Sequence, residues 1–239
     1  MQKPILYTDL ARYYDLIYSW KDYQKEAATI RRLITKYKRS KGCDLLEVAC
    51  GTGRHTHYFK DKFRVLGTDI STGMLRVARQ NIKGVRFQRA DMVTLNLEKQ
   101  FDVILCLFSS IGYVKNTTEL KRTLSNFARH LKKGGVVIIE PWLTKAVFKR
   151  GLPHMTTYGD DEIKIARLNT CEVRGNVSVM DMHYLVAERN EAVKHFVDRH
   201  ELSMFESQQI LKFMRQAGLR AKFIRNGLMK GRGLYVGVK

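Results

Sequence analysis

Two carboxylates set the chemistry open to this chain. Glu47 lies in the run Asp44-Leu45-Leu46-Glu47-Val48-Ala49-Cys50-Gly51-Thr52-Gly53-Arg54-His55, where an apolar strand pattern passes through a turn of small residues into a helical pattern. Ala49, Gly51 and Gly53 let the backbone approach a ligand closely, and the free amides at the next helix start can receive its polar groups. Asp69 stands 22 residues further on, closing a second apolar run, Val65-Leu66-Gly67-Thr68-Asp69. An acid at that strand tip can accept both hydroxyls of an adenosine ribose, in sheets whose ligands sit outside the carboxyl ends of the strands. The pair suits a nicotinamide dinucleotide or an adenosyl cofactor. Glu47 favours the second, because a carboxylate there repels a pyrophosphate and is compatible with the cationic amino acid portion of S-adenosylmethionine. The plain alternatives are a capping or solvent-facing Glu47 and a turn without a ligand.

The elements that must position these groups follow from hydrophobic periodicity. Short apolar runs at 44–49, 64–69, 84–90, 101–108 and 136–141 read as strands, and helical spacing separates several of them. This alternation predicts an α/β fold, a mostly parallel sheet covered on both faces. A periodic helix is expected from about Tyr23 to Tyr37, with clear helices at 71–83 and 117–131. The first opens at Ser71 or Thr72 and the second at Thr117 or Thr118, with Glu119 in its first turn. Lys132, Lys133, Gly134 and Gly135 would stop the second helix, and His130 would complement its dipole. After Pro141 the β-branched and aromatic stretches 163–173, 177–187 and 193–202 read as an antiparallel meander of about three strands. A helix at 206–217 and strands at 221–226 and 233–238 close the sheet at seven strands. The expected organisation is an N-terminal helical cap (1–42), a cofactor-binding core (43–145), an antiparallel β insert (146–204) and a closing helix with two strands (205–239).

The chain has 239 residues, 44% of them hydrophobic, enough for one large domain. The apolar runs are too short to cross a bilayer, and residues 1–10 lack a signal-like core, so a cytoplasmic protein is expected. Cys43, Cys50, Cys106 and Cys171 stand singly, which predicts reduced, packed thiols. His55 and His57 lack metal partners, and no metal is expected. Lys and Arg number 43 against 23 Asp and Glu, a net charge of +20. Such a surplus favours polyanion encounters without showing that a nucleic acid is the substrate.

The segments LLEVACGTGRHTHYF, VLGTDIS with GMLRVAR, FQRADM, FDVILCLFSSIGY and HLKKGGVVIIEPW, in this order, resemble the class I S-adenosylmethionine-dependent methyltransferases with their Rossmann-like fold. The resemblance implies that Glu47 and the turn from Ala49 through Gly51 to Gly53 hold the methionine end of S-adenosyl-L-methionine. It places Asp69 at the ribose, Ile70 and Met74 around the adenine, and Asp91 with Met92 beside the base, with Tyr14 and Leu107 completing the cofactor set. Ala49 departs from the glycine many members carry there, leaving less room beside the turn.

A narrower resemblance spans nearly the whole chain, through ARYYDLIYSWKDYQKEA, FSSIGYVKNTTEL, GGVVIIEPW, HFVDRHELSMFESQQI and GRGLYVGV. It is to the nucleotide-sugar N,N-dimethyltransferases, which methylate the amine of a thymidine-diphosphate deoxyaminosugar. It implies a tyrosine, here Tyr18, beside the sugar amine. The exit of the fourth strand should face the transferred methyl, so Ser110 and Tyr113 join Tyr18 as candidate catalytic residues, with Ser109 on the substrate side. Arg232 could grip a diphosphate through paired guanidinium bonds, and Trp142, Tyr158 and Tyr184 could stack on a sugar or base. His183, His195 and His200 could contact sugar or phosphate. For each of these, packing or capping is the ordinary alternative. The Asn/Asp-Pro-Pro-aromatic segment typical of nucleobase N-methylation is replaced by Phe108-Ser109-Ser110-Ile111-Gly112-Tyr113. An RNA methyltransferase and a non-catalytic adenosyl-binding scaffold remain alternative readings. A monomer, or a homodimer paired through the insert, is expected.

Overall fold

The computed structural model describes Tyr7 and residues 11–239; the other residues of 1–10, expected to lack a signal-like core, lie outside the described residues. Helices α1 (Ala11–Ile17) and α2 (Tyr23–Tyr37) precede the alternating core: β1 (Asp44–Val48), α3 (Arg54–Phe59), β2 (Arg64–Asp69), α4 (Thr72–Asn81), β3 (Arg86–Arg89), β4 (Phe101–Cys106), a 3-10 turn (Ser110–Tyr113), α5 (Thr117–His130) and β5 (Leu131–Ile139). The insert carries β6 (His154–Gly159), β7 (Ile163–Asn169), β8 (Glu172–Arg174), β9 (Val177–Glu188) and β10 (Lys194–Ser203). Helix α6 (Ser207–Gln216), β11 (Arg220–Ile224) and β12 (Leu234–Val238) complete the chain.

The central sheet has seven strands in the order β11-β12-β5-β4-β1-β2-β3. The five strands from β5 to β3 run parallel, and β12 is antiparallel to both β5 and β11. Both faces are covered, which is why β1 and β4 are buried at every residue and are mostly apolar, with only Asp44, Glu47 and Asp102 interrupting them. Side chains alternate between the faces. Leu46, Val48, Ile104 and Cys106 pack with Leu124 and Phe127 of α5 and Met214 of α6. Leu45, Val103 and Leu105 pack with Ala27, Ile30 and Ile34 of α2. From β1 the chain runs outward through β2 and β3, then returns to β4 on the other side. The crevice beyond the ends of β1 and β4 is therefore the topological switch point, where such sheets bind ligands.

Beneath the sheet, fully buried Asp102 accepts the backbone N–H groups of Gly42 (3.1 Å) and Asp44 (2.9 Å), and the Lys132 ammonium lies 2.8 Å away. Asp102→Ala strands two backbone donors, while Lys132 keeps its ion pair with Asp44 (2.9 Å), and denaturant unfolding is expected to show a loss of about 3 kcal/mol.

Several local expectations are corrected. Asn116, not Thr117 or Thr118, caps α5 by accepting from the Glu119 N–H at 2.9 Å, and Glu119 accepts from the Lys115 N–H at 3.1 Å. The basic and glycine residues do not supply the stop of α5, which ends before them at His130. The helix passes directly into β5 at Leu131, and Gly134 takes a left-handed φ of 76° where an added Cβ would stand 2.9 Å from Ser40 N. His130 does not serve the dipole as an exposed charge, because its Nδ1–H donates to Asn126 O (2.7 Å) while Nε2 accepts from the Leu97 N–H (2.8 Å). The insert has five strands rather than about three. Four form the order β10-β9-β7-β6, and β8 pairs with β9. β6 is an edge strand with mostly exposed residues and no apolar alternation to announce it. The insert rests on α1, burying Ile165, Tyr184 and Val186 against Tyr13 and Ile17. The four cysteines are free, and among the described residues no helix is long and apolar enough to cross a membrane.

Candidate active site

The turn after β1 adopts left-handed backbone at Ala49 (φ 54°), Gly51 (φ 57°) and Gly53 (φ 80°). Asp69, at the tip of β2, organises it: Oδ2 accepts from the Gly51 N–H (2.9 Å) and Oδ1 from the Ser71 N–H (2.8 Å). Each oxygen keeps a lone pair for a ligand hydroxyl. Burial raises the Asp69 carboxyl above its usual range, and these amides oppose the shift. A Cβ added at Gly51 would meet nothing within 4 Å, so that side of the turn opens into empty space. Gly53 behaves otherwise. Its hydrogen faces the α4–β3 packing, 3.1 Å from Ile82 Cγ1 for an added Cβ, and it does not line the cavity.

Glu47 is 2% exposed and accepts the Thr56 hydroxyl. Burial pushes its carboxyl up to about 7; the neighbouring Asp69 carboxylate adds to the rise, and the Thr56 bond opposes it. Among the described residues no cation forms an ion pair with it. A buried acid without a counter-ion, beside an open glycine turn and a second acid able to take two hydroxyls, matches the ammonium and ribose of S-adenosylmethionine. The residues present fit that cofactor.

Glu47 and Asp69 border one cavity of about 1300 Å³. A single ligand pocket commonly measures about 300–1,000 Å³, so two ligands can share this space. Tyr14, Ala49, Gly51, Ile70, Met74, Asp91, Met92 and Leu107 line this cavity, and so do Tyr18, Ser109, Ser110, Tyr113, Trp142 and Arg232. Tyr158 and Tyr184 are outside it. The Tyr158 hydroxyl turns to Asp160 (2.7 Å) at the insert edge, and Tyr184 is consumed by packing between the insert and α1. His183 and His195 also stay away, exposed and stacked on each other with ring centroids 5.4 Å apart.

The exit of β4 is the most constrained part of the site. Phe108 (φ 49°) and Ser109 (φ 64°) are consecutive left-handed residues with side chains, a conformation costing about 1–3 kcal/mol each unless neighbours impose it. Glu140 imposes it by accepting the Phe108 N–H at 2.7 Å. The Ser109 hydroxyl donates to Pro141 O (2.7 Å) and accepts from Arg232 Nη1 (2.9 Å). The Arg232 guanidinium lies 4.7 Å from the Trp142 ring centroid, and the Lys21 ammonium 4.4 Å from that of Phe108. Burial lowers the guanidinium's affinity for its proton, and Glu140 counters this. Ser110 caps the turn by donating to Leu107 O (2.9 Å).

Two further hydrogen-bonded groups face the cavity. The Tyr113 oxygen lies 2.6 Å from His200 Nδ1 and 2.7 Å from the Tyr7 oxygen. His200 Nε2 is 3.0 Å from Asp198 Oδ2, within ion-pair distance but not aligned for a hydrogen bond. The Tyr18 oxygen accepts from Arg167 Nη1 at 3.0 Å, and its ring stands edge-on to Phe108. His55 is engaged by Glu26 (2.8 Å), which also pairs with buried Lys21; no metal-holding cluster occurs among the described residues. Sequence reasoning missed Lys21, Glu140 and Arg167, and named His200 only as a general contact. Glu140 carried a usable signal, an acid directly after the apolar run Val136–Ile139, as Glu47 directly follows Leu45 and Leu46.

Comparison with known proteins agrees with this geometry. The methyltransferase domain family matches residues 45–135. The chain is 36% identical over 233 residues to the dTDP-3-amino-3,4,6-trideoxy-alpha-D-glucopyranose N,N-dimethyltransferase of Streptomyces venezuelae, covering 96% of this chain and 98% of that one. The crystal structure of DesVI from the same organism superposes with a TM-score of 0.91 at 35% identity, covering 97% of this chain and 98% of DesVI. The S-adenosylmethionine-bound amino pentose methyltransferase CalS10 of Micromonospora echinaspora gives 0.82 at 29% identity, with 91% and 92% covered. These likenesses include the insert as well as the cofactor core. The chain thus belongs to the sugar N,N-dimethyltransferase family of class I S-adenosylmethionine-dependent methyltransferases.

Proposed function

We propose that this enzyme methylates the amino group of a nucleotide-linked deoxyaminosugar. The observation that carries the reading is the single cavity running from Glu47 and Asp69, past the constrained β4 exit, to Arg232 and the insert. Glu47 holds the ammonium of the cofactor and Asp69 its ribose hydroxyls, while Ile70, Met74, Asp91 and Met92 surround the base. Bound there, S-adenosylmethionine supplies a methyl group activated by its sulfonium. The protein's task is then to desolvate an amine and align its lone pair. Phe108 and Ser109 form the floor at which the two ligands meet. The Tyr18 oxygen accepts an Arg167 N–H and keeps a second lone pair that can take an N–H of the acceptor, which leaves the amine lone pair facing the methyl. Arg232, Lys149 and Lys230 also line the cavity, and their positive charge would meet the diphosphate.

A nitrogen that has gained a methyl carries a surplus proton. The Tyr113 oxygen can accept it while the Tyr113 proton passes to His200 Nδ1, and Asp198 faces the resulting imidazolium. His200→Asn is therefore expected to leave single-turnover addition of the first methyl nearly unchanged. Steady-state formation of dimethyl product should slow about tenfold to a hundredfold, with monomethyl product accumulating in a chromatographic time course.

The deciding experiment offers radiolabelled S-adenosylmethionine with dTDP-aminosugars and, separately, with an RNA pool. Label entering the aminosugar supports the reading. Label entering RNA alone replaces it with an RNA methyltransferase, and label entering neither leaves a cofactor-binding scaffold.

A further inference from the structure

Arg167 is a cation in the acceptor end of the cavity with no acid to balance it. It sits on β7, in register with Thr156 of β6 and Tyr184 of β9, and it lines the cavity. Among the described residues no carboxylate forms an ion pair with it. Nη1 donates to the Tyr18 oxygen (3.0 Å) and Nη2 to the Thr156 hydroxyl (2.9 Å), while buried Nε has no partner. The guanidinium carbon is 5.3 Å from the Tyr18 ring centroid.

We infer that Arg167 is a specificity-determining cation that admits the acceptor amine only in its neutral form. This rests on the aminosugar reading above. Arg167 offers a phosphate only part of its guanidinium fork, because one hydrogen of each Nη is committed within the protein and Nε is enclosed. Its charge still acts on whatever lies against Tyr18. An aminosugar arrives mostly as an ammonium, which has no lone pair to attack with and is repelled by a fixed cation. The neutral amine is not repelled, and it can donate an N–H to the second lone pair of the Tyr18 oxygen while its own lone pair faces the methyl. The groups packed against Arg167 do not cancel its charge: Tyr18 after α1, Thr156 on β6 and Tyr184 on β9 bring no carboxylate to it. Asp198, on β10 behind Tyr184, is already engaged with His200. Glu47 and Asp69 border the cavity at the tips of β1 and β2, and Glu140 lies behind Phe108, where the cations Arg232 and Lys21 offset it; burial raises the carboxyl of each.

The test follows single-turnover methyl transfer to a dTDP-aminosugar against pH, a readout of the bound amine. In the wild-type enzyme the acid limb should fall about one to two pH units below the titration of the free amine, the effect of a unit charge several ångströms away. This measurement requires no variant. Arg167→Gln should move the limb upward by about the same amount, so that activity lost at pH 7 returns at pH 9, and Arg167→Lys should move it back. A wild-type limb that coincides with the free amine overturns the inference, as does an Arg167→Gln enzyme slowed equally at every pH. A raised KM with an unmoved limb also overturns it, in favour of an anion contact. No transfer to any aminosugar by the wild-type enzyme fells the acceptor reading itself, and this inference with it.

Discussion

Glu47→Gln is expected to weaken S-adenosylmethionine binding about a hundredfold while making the ligand-free protein more stable. Both effects have one cause. A carboxyl whose folded pKa is raised from 4.5 to about 7 costs stability as pH rises through that window. There the folded chain holds a proton that the unfolded chain has released. Above pH 7 the full cost applies, about 3 kcal/mol as an upper figure. Glutamine keeps the shape and can still accept the Thr56 hydroxyl, and it removes the charge. Thermal unfolding at pH 8 should therefore show a gain for the variant, whereas below pH 4.5 the two proteins should match. Calorimetry reads the other half. Binding an ammonium draws Glu47 into its ionised form, so wild-type association near pH 6 should release a proton, and affinity should climb with pH to a plateau above 7. The variant should show neither trend. A Glu47→Gln protein that is destabilised and binds normally would mean that the carboxyl serves the fold and not the cofactor.

Glu47 was legible in the sequence because its neighbours are local: strand, acid and small-residue turn lie within one short segment. The same holds for α2, whose boundaries follow from periodicity alone, and for Ser71, whose hydroxyl caps α4 by accepting the Met74 N–H at 3.1 Å. Legibility ended where function is assembled across elements. Tyr158 and Tyr184 looked alike as insert aromatics, but only the tertiary fold shows that Tyr184 turns into the α1 contact and Tyr158 toward Asp160. Trp142 and Arg232 were separated by most of the insert and closing helix, yet they stack over the same turn. The pairings of Arg167 with Tyr18 and of His200 with Tyr113 span 149 and 87 residues, and no local pattern encodes such contacts. Gly53 shows the converse error. It lies within a ligand-binding motif, but its hydrogen is required by helix packing.

The largest effect on turnover is expected from a residue that need not touch either ligand. Glu140 is fully buried; one carboxyl oxygen holds the Phe108 N–H and the other has no hydrogen-bond partner. Glu140→Ala leaves that amide unsatisfied and removes the acid facing Arg232, so two left-handed residues lose the contact that imposes their conformation. Stability should fall by about 3 kcal/mol, and kcat by a hundredfold or more as the floor between the two ligands relaxes. Glu140→Gln separates the two contributions. Its amide oxygen can still accept from Phe108, so kcat should stay within about tenfold of wild type. The negative charge beside Arg232 is gone, however, and a diphosphate no longer approaches against it. KM for the nucleotide sugar should therefore fall severalfold while kcat also falls modestly. Equal losses of kcat in the alanine and glutamine variants, with KM unmoved, would show that the charge, and not the acceptor atom, holds the β4 exit in its left-handed turn.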